Sequence, residues 1–196
     1  MSSNNQSVPN IAVFASGAGS NANEIARYFA DKSIANIALI VCNKPGAGVF
    51  QVAANHQIPT LTISREQFAK GDAYVPELQA ANIDFIVLAG FLWKVPLALI
   101  QAFPNKIINI HPALLPNYGG KGMYGHFVHE AVIANKEAQS GITIHYVDEH
   151  YDHGSTIFQA TCNITAEDTP DTLAQKIHVL EHAHFAPTIE KLVKSL

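Results

Sequence analysis

The chain reads as short apolar runs alternating with segments of helical spacing. Ile11-Ala-Val-Phe-Ala-Ser16 opens the series as a strand-type run and leads into a helical segment over residues 22–32. A second run, Ile37-Ala-Leu-Ile-Val-Cys42, is followed by a turn at Asn43-Lys-Pro-Gly46 and by helical spacing over 49–56. Thr60-Leu-Thr-Ile63 predicts a third strand and residues 73–81 a third helix. Asp84-Phe-Ile-Val-Leu-Ala89 is apolar nearly throughout, as a strand covered on both faces should be. A short helix over 97–102 precedes Lys106-Ile-Ile-Asn-Ile-His111, a strand that Pro112 stops abruptly, as at a sheet edge. Strands alternating with helices imply βαβ units with right-handed crossovers. The expected fold class is α/β, a Rossmann-like, mostly parallel sheet with helices on both faces.

The last third breaks the alternation. After a helix over 126–135, Ile142-Thr-Ile-His-Tyr-Val147 and Thr156-Ile-Phe-Gln-Ala160 flank the turn Tyr151-Asp-His-Gly154 with no helix between them. That predicts an antiparallel hairpin at the C-terminal edge of the sheet. Thr169-Pro-Asp171 starts a final helix with Pro170 in its first position. Over 171–193 it turns Leu173, Ile177, Leu180, Phe185, Ile189 and Leu192 inward, and Pro187 should kink or split it. Residues 1–196 are expected to form a single domain, with 1–10 as a flexible tail.

Composition narrows the function classes. With 48% hydrophobic and 14% charged residues in 196, the chain can bury a sizeable core. A net charge of -4 argues against a general nucleic-acid binder. It leaves room for an anionic small molecule, since backbone amides can hold a phosphate without a basic surface. Residues 1–10 lack the basic end and apolar segment of a signal peptide, and no apolar run is long enough to span a bilayer. Cys42 and Cys162 show no paired spacing, which suits a reducing compartment. A cytoplasmic protein without membrane partners is expected.

The candidate chemistry centres on Asn109 and His111. Two apart in a strand, they project from the same face beyond its carboxyl end, where open parallel sheets bind ligands. Gly17-Ala-Gly19-Ser20-Asn21-Ala22 fits G-x-G-x-x-A after the first strand, the place of a phosphate cradle. The second strand ends Val41-Cys42-Asn43 without the acidic residue a dinucleotide site wants, so a phosphate site is favoured over a dinucleotide site. A tight turn with no ligand is the plainer alternative. Asp152 lies in a turn beside Gly154. Placed against His111 it would raise the imidazole's pKa and make a general acid at neutral pH; on spacing alone it equally fits a turn cap. Asn109 could donate to an oxyanion, and the trio suits addition to a carbonyl carbon. No serine or cysteine partners the histidine, so an acyl-enzyme is not suggested. Among ten histidines, His145, His150 and His153, or His182 and His184, are conceivable ligands, but no H-E-x-x-H or cysteine partner accompanies them. No metal is expected.

Gly19-Ser20-Asn21, Leu88-Ala-Gly-Phe91, Asn109-Ile-His-Pro-Ala-Leu-Leu-Pro116, Tyr151-Asp-His-Gly154 and Glu181-His182 together resemble the phosphoribosylglycinamide formyltransferase family, over about residues 11–193. The resemblance implies a folate-dependent enzyme of purine synthesis. Amides of Gly19, Ser20 and Asn21 would hold the phosphate of glycinamide ribonucleotide, with Glu181 on its ribose hydroxyls and His178 as a further contact. Leu92, Trp93, Lys94 and Val95, with Asn109, Tyr151 and Asp152, would bind the co-substrate 10-formyltetrahydrofolate. Asn109 and His111 would polarise the formyl carbonyl while Asp152 keeps His111 protonated.

Leu92-Trp-Lys-Val95 departs from the Met-Arg-Ile-Leu common among relatives, and the usual folate arginine falls near Lys70-Gly71. Lys70 could substitute as a point charge, though not as a bidentate fork. Residues 117–125, with four glycines, also form a longer loop than is familiar. Methionyl-tRNA formyltransferase shares Asn-x-His-Pro, but implies a further C-terminal domain and a basic surface that 196 residues at net charge -4 do not suggest. A non-catalytic nucleotide-binding regulatory domain would use the glycine loop, yet it gives Asn109, His111 and Asp152 no reason to converge. The oligomeric state is not legible.

Overall fold

The computed structural model describes residues 8–196. Its strands are β1 (Asn10–Ala15), β2 (Asn36–Cys42), β3 (Thr60–Thr62), β4 (Phe85–Leu88), β5 (Ile107–His111), β6 (Gln139–Tyr146) and β7 (Thr156–Asn163). They form one seven-stranded sheet in the order β3-β2-β1-β4-β5-β6-β7. The first five pair in parallel, while β6 and β7 are antiparallel to their neighbours, as the alternation and the late hairpin predict. One expectation is corrected: β5 lies between β4 and β6, inside the sheet. Pro112 ends the strand, not the sheet. The tail expected over 1–10 also ends earlier, because Asn10 already pairs with Asn36; residues 1–7 lie outside the described residues.

Both faces of β1, β2 and β4 are covered, which is why their sequences read as nearly unbroken apolar runs, whereas the edge strand β3 is partly exposed. On one face Ile11, Val13, Ile40, Val87 and Ile108 pack against Ile25 and Phe29 of α1 (Ser20–Phe29) and Ile177 and Phe185 near the C-terminus. Helix α2 (Val49–Asn55) joins this layer through Val49 and Ala53. On the other face Phe14, Val41, Ile86 and Ile107 meet α3 (Arg65–Lys70), α4 (Val75–Ala80) and α5 (Leu97–Ala102) through Phe68, Leu78 and Leu99. Phe91 stands edge-on to both Phe14 and Phe68, at centroid distances of 5.4 and 5.6 Å. Such pairs contribute roughly 0.5–1.5 kcal/mol each beyond area burial. They clamp the β4 exit that shapes the site.

Helix α3 has no counterpart in the apolar pattern. Its signal is local: Ser64-Arg-Glu-Gln67 has the capping-box spacing, and Ser64 Oγ accepts from Gln67 N at 3.3 Å. Helix α4 begins at Val75 rather than at 73 because Ala73 and Tyr74 take φ of +55° and +60°. After α6 (His126–Ala134), α7 (Pro170–Val193) closes the chain as one uninterrupted helix, so Pro187 does not split it. The N–H that proline lacks costs one bond. Phe185, Ala186, Thr188 and Ile189 all bury around it and hold the helix through. Leu180 and Leu192 are only half-buried; the inner face instead carries Glu181, 6% exposed.

Gly19, the residue before α1, has φ +83°, and a Cβ there would stand 2.8 Å from Val49 Cγ2 at the start of α2. Gly19→Ala should therefore cost roughly 1–3 kcal/mol of stability from backbone strain and clash. A urea midpoint equal to the parent's would contradict this packing role.

Candidate active site

The strand order reverses between β1 and β4, and a cavity of about 710 Å³ opens beyond the carboxyl ends of β1, β4 and β5. Its walls include the glycine loop 17–21, Gly90 to Leu92, Asn109, His111, Asp152 and Glu181.

His111 ends β5 and is 3% exposed. Its Nδ1 is 3.6 Å from Asp152 Oδ2, and its Nε2 is 2.7 Å from the carbonyl oxygen of Tyr118. A carbonyl only accepts, so Nε2 carries hydrogen and Nδ1 faces the carboxylate. Asp152 reaches that position from the turn between β6 and β7, where it takes φ +54°, and its Oδ2 accepts from Gly120 N at 2.9 Å. The convergence expected of these two residues is thus present.

Their protonation is not as expected. Burial lowers the His111 pKa by more than the Asp152 carboxylate and the Tyr118 carbonyl raise it, leaving it below 6.5. Burial thus favours the neutral form of the resting ring. Burial also pushes Asp152 up, but the imidazoles of His145 and His111 and the Gly120 N–H outweigh it and hold the carboxyl below its ordinary value.

Asn109 stands directly opposite His145 in the β5–β6 register, and its Nδ2 lies 3.1 Å from His145 Nε2. His145 Nδ1 is 2.8 Å from the Tyr146 carbonyl, to which it must donate. The contact with Nε2 orients the Asn109 amide, whose second N–H is left for a ligand. His145 Nε2 is also 3.7 Å from Asp152 Oδ1. The sequence pattern offered His145 only as a conceivable metal ligand; strand alternation was its one usable signal.

The opposite wall belongs to α1 and α7. The first-turn amides of α1, beginning at Ser20 and Asn21, have no intrahelical partner. Asn21 Nδ2 donates to Glu181 Oε2 at 3.0 Å, and His178 Nδ1 lies 3.0 Å from the same oxygen. That hydrogen bond raises the His178 pKa against the opposing effect of burial. Gly19, Ser20, Asn21, His178 and Glu181 therefore share one wall. His129 of α6 also lines the cavity, buried and with Nδ1 unpartnered, and no motif pointed to it.

The loop over 117–125 is tied down at both ends of the trio's contacts. Tyr118 offers its carbonyl to His111 and Gly120 its N–H to Asp152, while the Tyr118 hydroxyl donates to Glu137 at 2.6 Å. Beside it, Trp93, Lys94, Val95, Tyr151 and Asp152 line a smaller cleft with Asn109 and His145. Leu92 faces the larger cavity and is half exposed. A separate surface pocket that shares Lys94, Val95 and His150 with this cleft is lined by Ala69, not Lys70. Of the other histidines weighed as ligands, His184 packs on Phe158 at 4.9 Å and His182 lies 6.2 Å from His178.

An amide donor, an imidazole and a carboxylate thus face a helix N-terminus across one cavity. The formyl transferase family profile matches residues 9–189. The chain belongs to the formyl transferase family. Within that family it is 40% identical over 185 residues to phosphoribosylglycinamide formyltransferase, chloroplastic, of Arabidopsis thaliana. That match takes in 91% of this chain, which spans 63% of the plant protein's length. To phosphoribosylglycinamide formyltransferase of Bacillus subtilis (strain 168) it is 36% identical over 187 residues, 93% of each chain. The crystal structure of phosphoribosylglycinamide formyltransferase from Bacillus halodurans superimposes with a TM-score of 0.85 at 36% identity, covering 94% and 95% of the two chains. Among the described residues, no helix of this formyl transferase is long and apolar enough to cross a membrane.

Proposed function

We propose that the chain transfers the formyl group of 10-formyltetrahydrofolate to the glycyl amine of glycinamide ribonucleotide, a step of purine synthesis. The observation that carries this reading is Asn109, His111 and Asp152 meeting in a cavity walled on its far side by the α1 N-terminus and Glu181. The names of the related proteins agree with it.

In this reading the phosphate rests on the amides of Gly19, Ser20 and Asn21, where the helix dipole favours an anion. Glu181, held by Asn21 and His178, accepts from the ribose hydroxyls. Leu92, Trp93, Lys94, Val95 and Tyr151 enclose the folate, which brings its formyl carbon to Asn109 and His111. The unprotonated glycyl amine attacks that carbon. The carbonyl π electrons move to oxygen, where the free Asn109 N–H and His111 stabilise the charge. A neutral ring beside one carboxylate becomes more basic when a second negative charge forms nearby. The His111–Asp152 pair can therefore take the proton that the attacking nitrogen must lose. Collapse of the adduct breaks the bond to the folate nitrogen, which leaves protonated as tetrahydrofolate.

The deciding experiment is formyl transfer with the purified chain, glycinamide ribonucleotide and 10-formyltetrahydrofolate, run beside charged initiator tRNA. Turnover with the tRNA alone would replace this reading by the methionyl-tRNA formyltransferase one. Glu181→Gln is expected to raise KM for the ribonucleotide about tenfold or more with little change in kcat, since the contact is shared by ground and transition states. A fall in kcat at unchanged KM would move Glu181 out of that role.

A further inference from the structure

The turn that presents Tyr151 and Asp152 also carries side chains that formyl transfer leaves unused. Asp148, His150 and His153 each offer one ligand atom, and these atoms lie within 4.8 Å of one another. Nδ1 of His153 is 3.6 Å from Oδ2 of Asp148. The rings of His150 and His153 have centroids 5.6 Å apart and planes inclined by 57°. One backbone bond orients the carboxylate: His150 N donates to Asp148 Oδ1 at 2.8 Å, which leaves Oδ2 for another partner.

These positions meet because the chain reverses sharply between them. Asp152 is left-handed at φ +54°, and Gly154 approaches Tyr146 so closely that a Cβ would stand 1.9 Å from its carbonyl oxygen. That reversal brings Asp-x-His-x-x-His together without the helical spacing that usually betrays such a set.

The distances suit a small cation. Ligands at about 2.0–2.1 Å from a tetrahedral zinc stand about 3.3–3.4 Å from each other. The Asp148–His153 pair is already near that separation, and the His153 side chain, 79% exposed, is free to close the remainder. As a plain ion pair this contact would contribute almost nothing, and the second imidazole would have no part in it. Two imidazoles with one carboxylate select zinc, copper or nickel over calcium and magnesium, which prefer oxygen ligands throughout.

We propose that Asp148, His150 and His153 form a three-ligand site for a divalent transition metal of the zinc class, with its remaining position open to water. The site lies outside the transfer chemistry and does not depend on the activity proposed above. His150 lines the small cleft beside Lys94 and Tyr151, so a bound ion would fasten the rim of that cleft.

Calorimetric titration of the untagged full chain with zinc chloride tests this. One equivalent should bind at micromolar zinc, undisturbed by millimolar magnesium, and raise the melting temperature. His150→Ala and His153→Ala should each weaken binding by more than about tenfold and abolish the thermal shift. Both side chains are exposed, so unchanged melting without metal confirms that the variants fold. Absence of zinc binding by the parent chain overturns the proposal. So does wild-type affinity in either variant, which would place the ion on other histidines.

Discussion

His111→Ala is expected to lower kcat for formyl transfer by about 10³-fold while leaving ribonucleotide affinity nearly unchanged. The ring is 3% exposed, with Asp152 on one nitrogen and a polar acceptor on the other, so no solvent group stands ready to replace it. In the proposed reading the ribonucleotide rests on α1 and α7, whose Asn21–Glu181 contact forms the other wall and does not pass through β5. Steady-state kinetics paired with calorimetric titration of glycinamide ribonucleotide separates the two effects. Full turnover in this variant would remove His111 from the chemistry; lost binding would make it a structural post.

Asp152→Asn is expected to cost about 10²- to 10³-fold in kcat and to lower the His111 pKa further. In the parent protein burial has already brought that pKa below 6.5, and the Asp152 charge is the largest opposing influence. An asparagine keeps the shape and removes the charge. NMR titration of the His111 ring should show a midpoint under 6.5 in the parent and a lower one in the variant; equal midpoints would sink the pairing. Stability follows the same sign. A histidine whose folded pKa is depressed gives stability that is complete above the unfolded value near 6.5 and is lost as pH falls through the folded one. The variant, with the wider gap, should lose more stability than the parent on acidification below that point. Urea midpoints at neutral and mildly acid pH would show it.

The central parallel strands were legible because burial on both faces leaves few polar residues in β1, β2 and β4, and their runs mark themselves. The late hairpin was legible for a topological reason: with no helix between 142–147 and 156–160, a parallel crossover has no chain to make it. Helix α3 was missed because six residues with one buried phenylalanine leave no periodicity to detect; only the serine cap announced it. Pro187 misled because a missing hydrogen bond is local, whereas the burial that overrides it belongs to a sheet the sequence does not display.

In the site, the Asn109 and His111 pairing came from strand period alone, and Asp152 needed the family resemblance to bring it near. His129 was beyond reach and His145 had only strand alternation to offer, since each acquires its place from a partner element distant in the chain. The protonation of His111 failed for a different reason. A carboxylate neighbour can be guessed from residue types, but the depth of water exclusion that outweighs it cannot.

The carbonyl of Tyr118 sits on the one imidazole nitrogen able to serve an incoming oxygen. The protein therefore carries its own competitor for that proton. Any substrate oxygen bound there trades places with a peptide group, and gains only the difference between two similar hydrogen bonds. The same departure of the loop would strip Asp152 of its Gly120 amide and return basicity to the carboxylate. Under the proposed mechanism, ligand entry and release of the His111–Asp152 pair would be a single event.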